Sequence, residues 1–148
     1  MSGLQSCALP IGGAPAGPAA ASAAATGSWH AYGNTNPITS SASTWSCAGS
    51  KALTTNVLAQ VCAIRSPGHA SVQGAVIVRN NRSSLYSVAA AMDLYTSSGD
   101  KLGDWACASS GVGANSWSVC FGSTLAERSS VNSVGIANGV NLGISSNV

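Results

Sequence analysis

Charge is what this sequence has least of. Only 7% of its 148 residues are charged, where a soluble chain usually carries about a quarter. Four acids are present, Asp93, Asp100, Asp104 and Glu127, with two histidines, His30 and His69. A hydrolase, kinase or metalloenzyme needs several such groups converging in one pocket. The supply is too thin for that, so a non-catalytic protein without cofactor or metal is expected. Six cations, Lys51, Arg65, Arg79, Arg82, Lys101 and Arg128, leave a net charge of +2. They are few and dispersed, which argues against a nucleic-acid footprint. Apolar runs of about 20 residues are missing too, and with them a transmembrane helix. There is no Gly-x-Ser-x-Gly elbow, Walker loop or dinucleotide fingerprint. Gly111-Val112-Gly113 joins two expected strands without a following helix and reads as a turn. The first residues lack the basic start and Leu-rich core of a secretory signal, although Ala19 to Ala25 reads like the small-residue stretch before a cleavage site.

Small residues take the place of charge: 17 Gly, 25 Ala and 26 Ser. Hydrophobic residues still reach 45%, which separates the chain from charged, apolar-poor disordered sequences. The length suits one domain of ordinary size. Five cysteines, Cys7, Cys47, Cys62, Cys107 and Cys120, contain no C-x-x-C pair and have no zinc-ligand spacing to the histidines. They read as two disulfides and an odd thiol, as in a secreted, extracellular protein. Cys47–Cys62 and Cys107–Cys120 is the favoured pairing, because each closes a short loop between adjacent segments. Crossed pairing that ties two sheets together is the alternative. Cys7 is either unpaired or bonded to a partner chain. Leu4-Gln5-Ser6-Cys7 is faintly similar to a lipoprotein box, but no apolar segment precedes it.

Three regions follow from the pattern. Residues 1–28 hold Pro10, Pro15 and Pro18 in a Gly/Ala-rich run with no charge. Proline and glycine oppose regular structure here, so this is an extended, flexible arm: a solvated linker, or a segment that orders on a partner through Leu4, Leu9 and Ile11. Residues 29–50 form an aromatic transition. Trp29, Tyr32 and Trp45 would cover one end of the domain, or offer ring faces to a sugar.

From residue 51 to 148 period-two alternation dominates, which points to strands. Expected strands are Ala52 to Arg65, Ser71 to Asn80, Ser87 to Tyr95, Lys101 to Ser109 and Ser116 to Gly122. A helix is the rival over Ser87 to Tyr95, but Ser97-Ser98-Gly99-Asp100 ends that run at strand length. Asn80 to Ser84 reads as a polar turn. Trp117, Val119 and Phe121 alternate with Ser116, Ser118 and Cys120, which assigns the apolar set to the inside. Asn138-Gly139 between alternating apolar residues is a type I′ hairpin turn. Short strands at close spacing mean an all-β, antiparallel immunoglobulin-like β-sandwich. A core of Ala and Gly would be thin, with disulfides as compensation. Several expected strands carry no charge to guard a sheet edge, which favours life in an assembly.

The polar candidates read as surface groups. Asp93 lies opposite Met92 and Leu94 on its strand, facing solvent. Asp100 and Asp104 flank Lys101 in a hairpin and are too few for the oxygen shell of calcium. His30 and His69 are placed in loops.

The run VQGAVIVRNNRSSLYSVAAAMDLYTSSGDKLGDWACA resembles the immunoglobulin-like domains of small secreted bacterial proteins over about residues 70–125. With the arm and the cysteines added, the whole is similar to the small adaptor (B) subunit of the umbrella toxin particles secreted by Streptomyces. That resemblance implies a sandwich linking a lectin-bearing subunit to a larger toxin-carrying subunit. It also implies an arm that inserts into a partner's cleft, with Leu4, Cys7, Leu9, Ile11, Trp29 and Tyr32 as contact candidates. A carbohydrate- or cell-wall-binding module using Trp29, Tyr32, Trp45 or Trp105 is one alternative, and a secreted protease inhibitor the other.

Overall fold

The computed structural model describes residues 24–148. Among them no helix forms, and twelve strands build two sheets. In chain order these are β1 (Ala25–Thr26), β2 (Ser28–Gly33), β3 (Thr44–Cys47), β4 (Lys51–Thr54), β5 (Val57–Arg65) and β6 (Ser71–Asn80). Then come β7 (Tyr86–Thr96), β8 (Lys101–Val112), β9 (Ser116–Phe121), β10 (Leu125–Ala126), β11 (Val131–Ala137) and β12 (Val140–Ile144).

The larger sheet has the order β2-β9-β6-β5-β3, with β4 beside β5 and β10 beside β6. The smaller has the order β12-β11-β7-β8-β1. Every pairing is antiparallel except β1 with β8, where Ala25 and Thr26 run parallel to Trp105 and Ala106. The all-β sandwich with two disulfides is therefore as the alternation predicts. It also takes in residues that the sequence set apart: β1 and Ser28 from the arm, and β2 and β3 from the aromatic segment.

The inner faces follow the expected stripes. Val72, Val76 and Val78 on β6 meet Val88, Met92 and Leu94 on β7, all essentially inaccessible. β-branched valine suits such a pleated, two-sided surface. Glycine lets the layers approach closely at two central points. A Cβ on Gly135 would lie 2.8 Å from Val61 Cγ2, and one on Gly74 3.0 Å from Met92 Cγ.

Three expectations need correction. Ala52 to Arg65 is a hairpin, not one strand: Thr55-Asn56 turns the chain, with Asn56 at φ 63°. Val112 belongs to β8, so the turn after it is confined to Gly113–Asn115. The apolar stripe of β9 faces the other way. Ser118 and Cys120 pair with Val78 and Val76 on the inner face, while Trp117, Val119 and Phe121 point outward. Alternation shows that two faces differ. It does not show which is the sandwich interior when both are covered.

The Asn138-Gly139 turn is present, with φ of 44° and 79°. Its asparagine also accepts a hydrogen bond from Ala89 N at 2.9 Å and donates to Ser87 O at 3.0 Å. Asn80, expected in a turn, is fully buried and donates to the carbonyls of Ser84, Val112 and Gly113. It thereby gathers the loops at one end of the sandwich.

Candidate interaction surfaces

The outer face of the larger sheet carries a second apolar layer. Cys62, Ile64, Ala75, Ile77 and Val119 are buried there beneath Tyr32, Ile38, Trp45, Trp117 and Phe121. Strands β2, β3 and β9 supply most of this cover, and loop 34–43 adds Ile38. Asn36 organises that loop, its Oδ1 accepting from Ile38 N at 2.9 Å and its carbonyl from Ser40 Oγ at 2.8 Å. Phe121 is the hub of the rings: His30 meets it edge-on at 5.8 Å and Trp45 at 6.0 Å. The Arg79 guanidinium lies over Trp117 at 5.2 Å and is held by Asn81 Oδ1 and Asn34 Oδ1. The Cys47–Cys62 disulfide joins directly opposed residues of β3 and β5 on this face. Trp45 Nε1 is buried without a hydrogen-bond partner among the described residues.

The smaller sheet's outer face is different. Ile144, Val134, Asp93 and Asp104 stand in one cross-strand row, and Ile136, Ala91, Ala106 and Thr26 in the next. The small side chains of Ala91 and Ala106 in the middle of the second row leave an open trough of about 900 Å³. Alanine and glycine supply much of its lining, and Ala24, Val134, Ile136 and Ile144 line it too. Ile144 is 64% exposed. Asp93 and Asp104 are its only charged lining residues and lie directly opposite one another. That like-charge contact is unfavourable. It is relieved by Lys101 Nζ, 2.9 Å from Asp104 Oδ2, and by Tyr95 O–H, which donates to Asp93 Oδ2 at 3.2 Å. The Asp104 hydrogen bond holds the Lys101 ammonium above its ordinary pKa. Burial, aided by the Asp93 carboxylate, raises the Tyr95 phenol.

The expected site residues scatter. Leu4, Cys7, Leu9 and Ile11 lie outside the described residues. Trp29 is half-buried against the sandwich core, its Nε1 donating to Ala108 O at 2.7 Å. Tyr32 is half-buried on the opposite, aromatic face, where burial raises its phenol. Trp105 is not available to a sugar: it is 4% exposed, its Nε1 donates to Ser123 Oγ, and its ring leaves no room for a Cβ on Gly103 or Gly122. His30 is on strand β2 rather than in a loop, while His69 sits in a turn at φ 65°.

The trough went unread in the sequence. Its signal was the Ala89–Ala91 run, whose outward positions are as apolar as its inward ones. Among the described residues no group of three His, Cys, Asp or Glu is placed to hold a metal ion. Those residues also contain no helix long and apolar enough to cross a membrane. What these faces offer is shape, apolar area and free strand edges. No family model, curated protein or solved structure matches this chain.

Proposed function

We propose that the protein is a non-catalytic secreted adaptor that joins larger extracellular proteins, in the manner of the small subunit of umbrella toxin particles. The observation that carries this reading is the trough on the smaller sheet: an apolar, concave face ending at the exposed edge strand β12. Contiguous apolar patches of this kind mark interaction sites more often than bare solvent-facing surface. The chain also has little charge with which to guard its edges. β2 and β12, one edge strand of each sheet, contain no Lys, Arg, Asp or Glu.

In this reading the trough and β12 dock on one large subunit. Residues 1–23, with Leu4, Leu9 and Ile11 as anchors, enter a cleft of the other. The two disulfides suit an oxidising compartment. The test is reconstitution with co-secreted partners. Deleting residues 1–23 should abolish binding to one partner and spare the other, and Ile144→Asp should do the reverse. Full binding of both partners by both variants would refute the assignment.

A second reading rests on the aromatic face, where Tyr32, Trp45, Trp117 and Phe121 share one surface. Ring faces of this kind can stack on sugars. Retention on cell-wall polysaccharide, lost in Tyr32→Ala and Trp117→Ala, would favour a carbohydrate-binding module instead.

A further inference from the structure

Charge is sorted between the two ends of the sandwich. Asp100 lies in the turn after β7, Asp93 and Asp104 stand near that turn on β7 and β8, and Glu127 is at the same end after β10. The other end, gathered by Asn80, has the loops 55–56, 81–85, 113–115 and 138–139, which contain no Asp or Glu. It carries Arg79 and Arg82, each laid on a ring. The Arg79 guanidinium sits 5.2 Å over Trp117, its Nε donating to Asn81 Oδ1 at 2.7 Å and its Nη1 to Asn34 Oδ1 at 2.9 Å. Arg82 sits 5.8 Å over Tyr86, and its backbone N–H donates to Oδ1 of the buried Asn80 at 2.9 Å. Among the described residues no carboxylate pairs with either guanidinium.

We infer that Arg79, with Asn34 and Asn81, forms a binding site for a carboxylate-bearing saccharide. The arginine is prepared for an anion. A free arginine loses side-chain freedom when it grips a carboxylate, whereas here the ring and two amides already hold the planar fork in place. Its Nη2 group donates to no described residue and is left for the ligand. Both asparagines spend their carbonyl oxygen on Arg79, so their NH2 groups face outward as donors for sugar hydroxyls. Space is present as well. Trp117 stands opposite Gly33 on β2, and nothing lies within 4 Å of a Cβ placed there. Two arginines are too few for the phosphates of a nucleic acid. Neutral amides around one fork suit a hydroxyl-rich chain with sparse charge. The sugar part of the ligand rests on the carbohydrate reading of the aromatic face, and the anion part does not. Neither part needs the adaptor reading.

The experiment titrates the full chain by NMR with three probes: trigalacturonate, its neutral counterpart galactotriose, and the peptide triglutamate. Trigalacturonate is expected to shift the Arg79 Nε–H, the Trp117 Nε1–H and the side-chain NH2 signals of Asn34 and Asn81. Its binding should exceed that of galactotriose by about tenfold, as one charge-assisted pairing gives, and should weaken with added salt. Arg79→Lys keeps the charge but loses the fork, and should bind about tenfold more weakly. Arg128→Lys, at the opposite end, should bind as the unaltered chain does. Shifts spread away from Arg79, or undiminished binding by Arg79→Lys, would overturn the inference. Galactotriose binding as tightly as trigalacturonate would keep the ring-stacking reading and overturn the anion site. Tighter binding of triglutamate would assign the arginine to an acidic peptide and overturn the saccharide. Binding of none of the three would also overturn the site, and retention on cell-wall polysaccharide would then test the ring-stacking reading by itself.

Discussion

Cys107 and Cys120 are 13 residues apart in the chain but on facing sheets, and their bond, with Cα atoms 6.1 Å apart, ties one layer of the sandwich to the other. Cys47–Cys62, by contrast, staples neighbouring strands within one sheet. Loop closure alone assigns each bond about 3 kcal/mol. Cys107 and Cys120 are both buried in the interior, whereas Cys47 is only half-buried beside the buried Cys62, so replacing the first pair by alanine leaves the larger cavity. Urea unfolding should show the Cys107→Ala/Cys120→Ala protein losing more stability than Cys47→Ala/Cys62→Ala, by about 1–2 kcal/mol.

Trp105 is held between two glycines. A Cβ on Gly122 would lie 2.7 Å from the indole Cδ2, with Phe121 and Ser123 on either side in the chain. The large ring cannot yield without disturbing its Nε1 bond to Ser123 Oγ. Gly122→Ala should therefore destabilise the fold by about 1–3 kcal/mol. Gly49→Ala, where nothing lies within 4 Å, is the control and should be near neutral. Thermal unfolding of the two proteins checks this, together with loss of the buried-tryptophan near-UV signal in the first.

Arg65 is a buried cation, 6% exposed, that acts as a clasp. Its guanidinium donates to the carbonyls of His69, Glu127, Ser129 and Val148, joining three chain segments. Lysine offers one point charge in place of that planar fork. Arg65→Lys should cost about 2–4 kcal/mol, since carbonyls are left unpaired. Exposed Arg128→Lys should change stability by less than about 0.5 kcal/mol. Hydrogen exchange should quicken at the Val131 and Val148 amides, which close the C-terminus.

Stability should fall on the alkaline side. Tyr32 and Tyr95 are raised above their ordinary value of 10.0, chiefly by burial. Lys101 is raised above 10.5, chiefly by its bond to Asp104. Between the unfolded and folded values the native state holds more protons, so stability declines with rising pH. It is complete below about pH 10 and lost above it. On the acid side, the hydrogen bond from Ser129 N lowers Glu127 below 4.5, so its contribution is present above that value and lost beneath it. Urea midpoints across pH 9 to 11.5 should decline. Tyr95→Phe should flatten part of that slope.

The inner stripes were legible because alternation survives where one face is plainly apolar, as in Val88 to Leu94. So were the Asn138-Gly139 turn and both disulfides, since each is a local constraint. Cys107–Cys120 nevertheless bridges the two sheets, which the sequence had associated with crossed pairing. Short loops do not imply neighbouring strands in one sheet. The orientation of β9 was hidden because both its faces are buried. Short, weakly patterned strands such as β1 and β3 take their shape from tertiary pairing, so Ala25 and Trp45 gave no local sign of it. The trough was hidden for the opposite reason: Ala89 and Ala91 are too small to signal exposure or burial. Asn80 misled because a buried asparagine and a turn asparagine look alike until its carbonyl partners are known.

The most direct test of the adaptor reading is the native mass of the protein in the culture medium of the organism that makes it. Affinity capture under native conditions, light scattering and mass spectrometry would supply it. A particle many times 14.5 kDa with fixed partner proteins is the expected result. A lone 14.5 kDa monomer throughout would contradict the assignment.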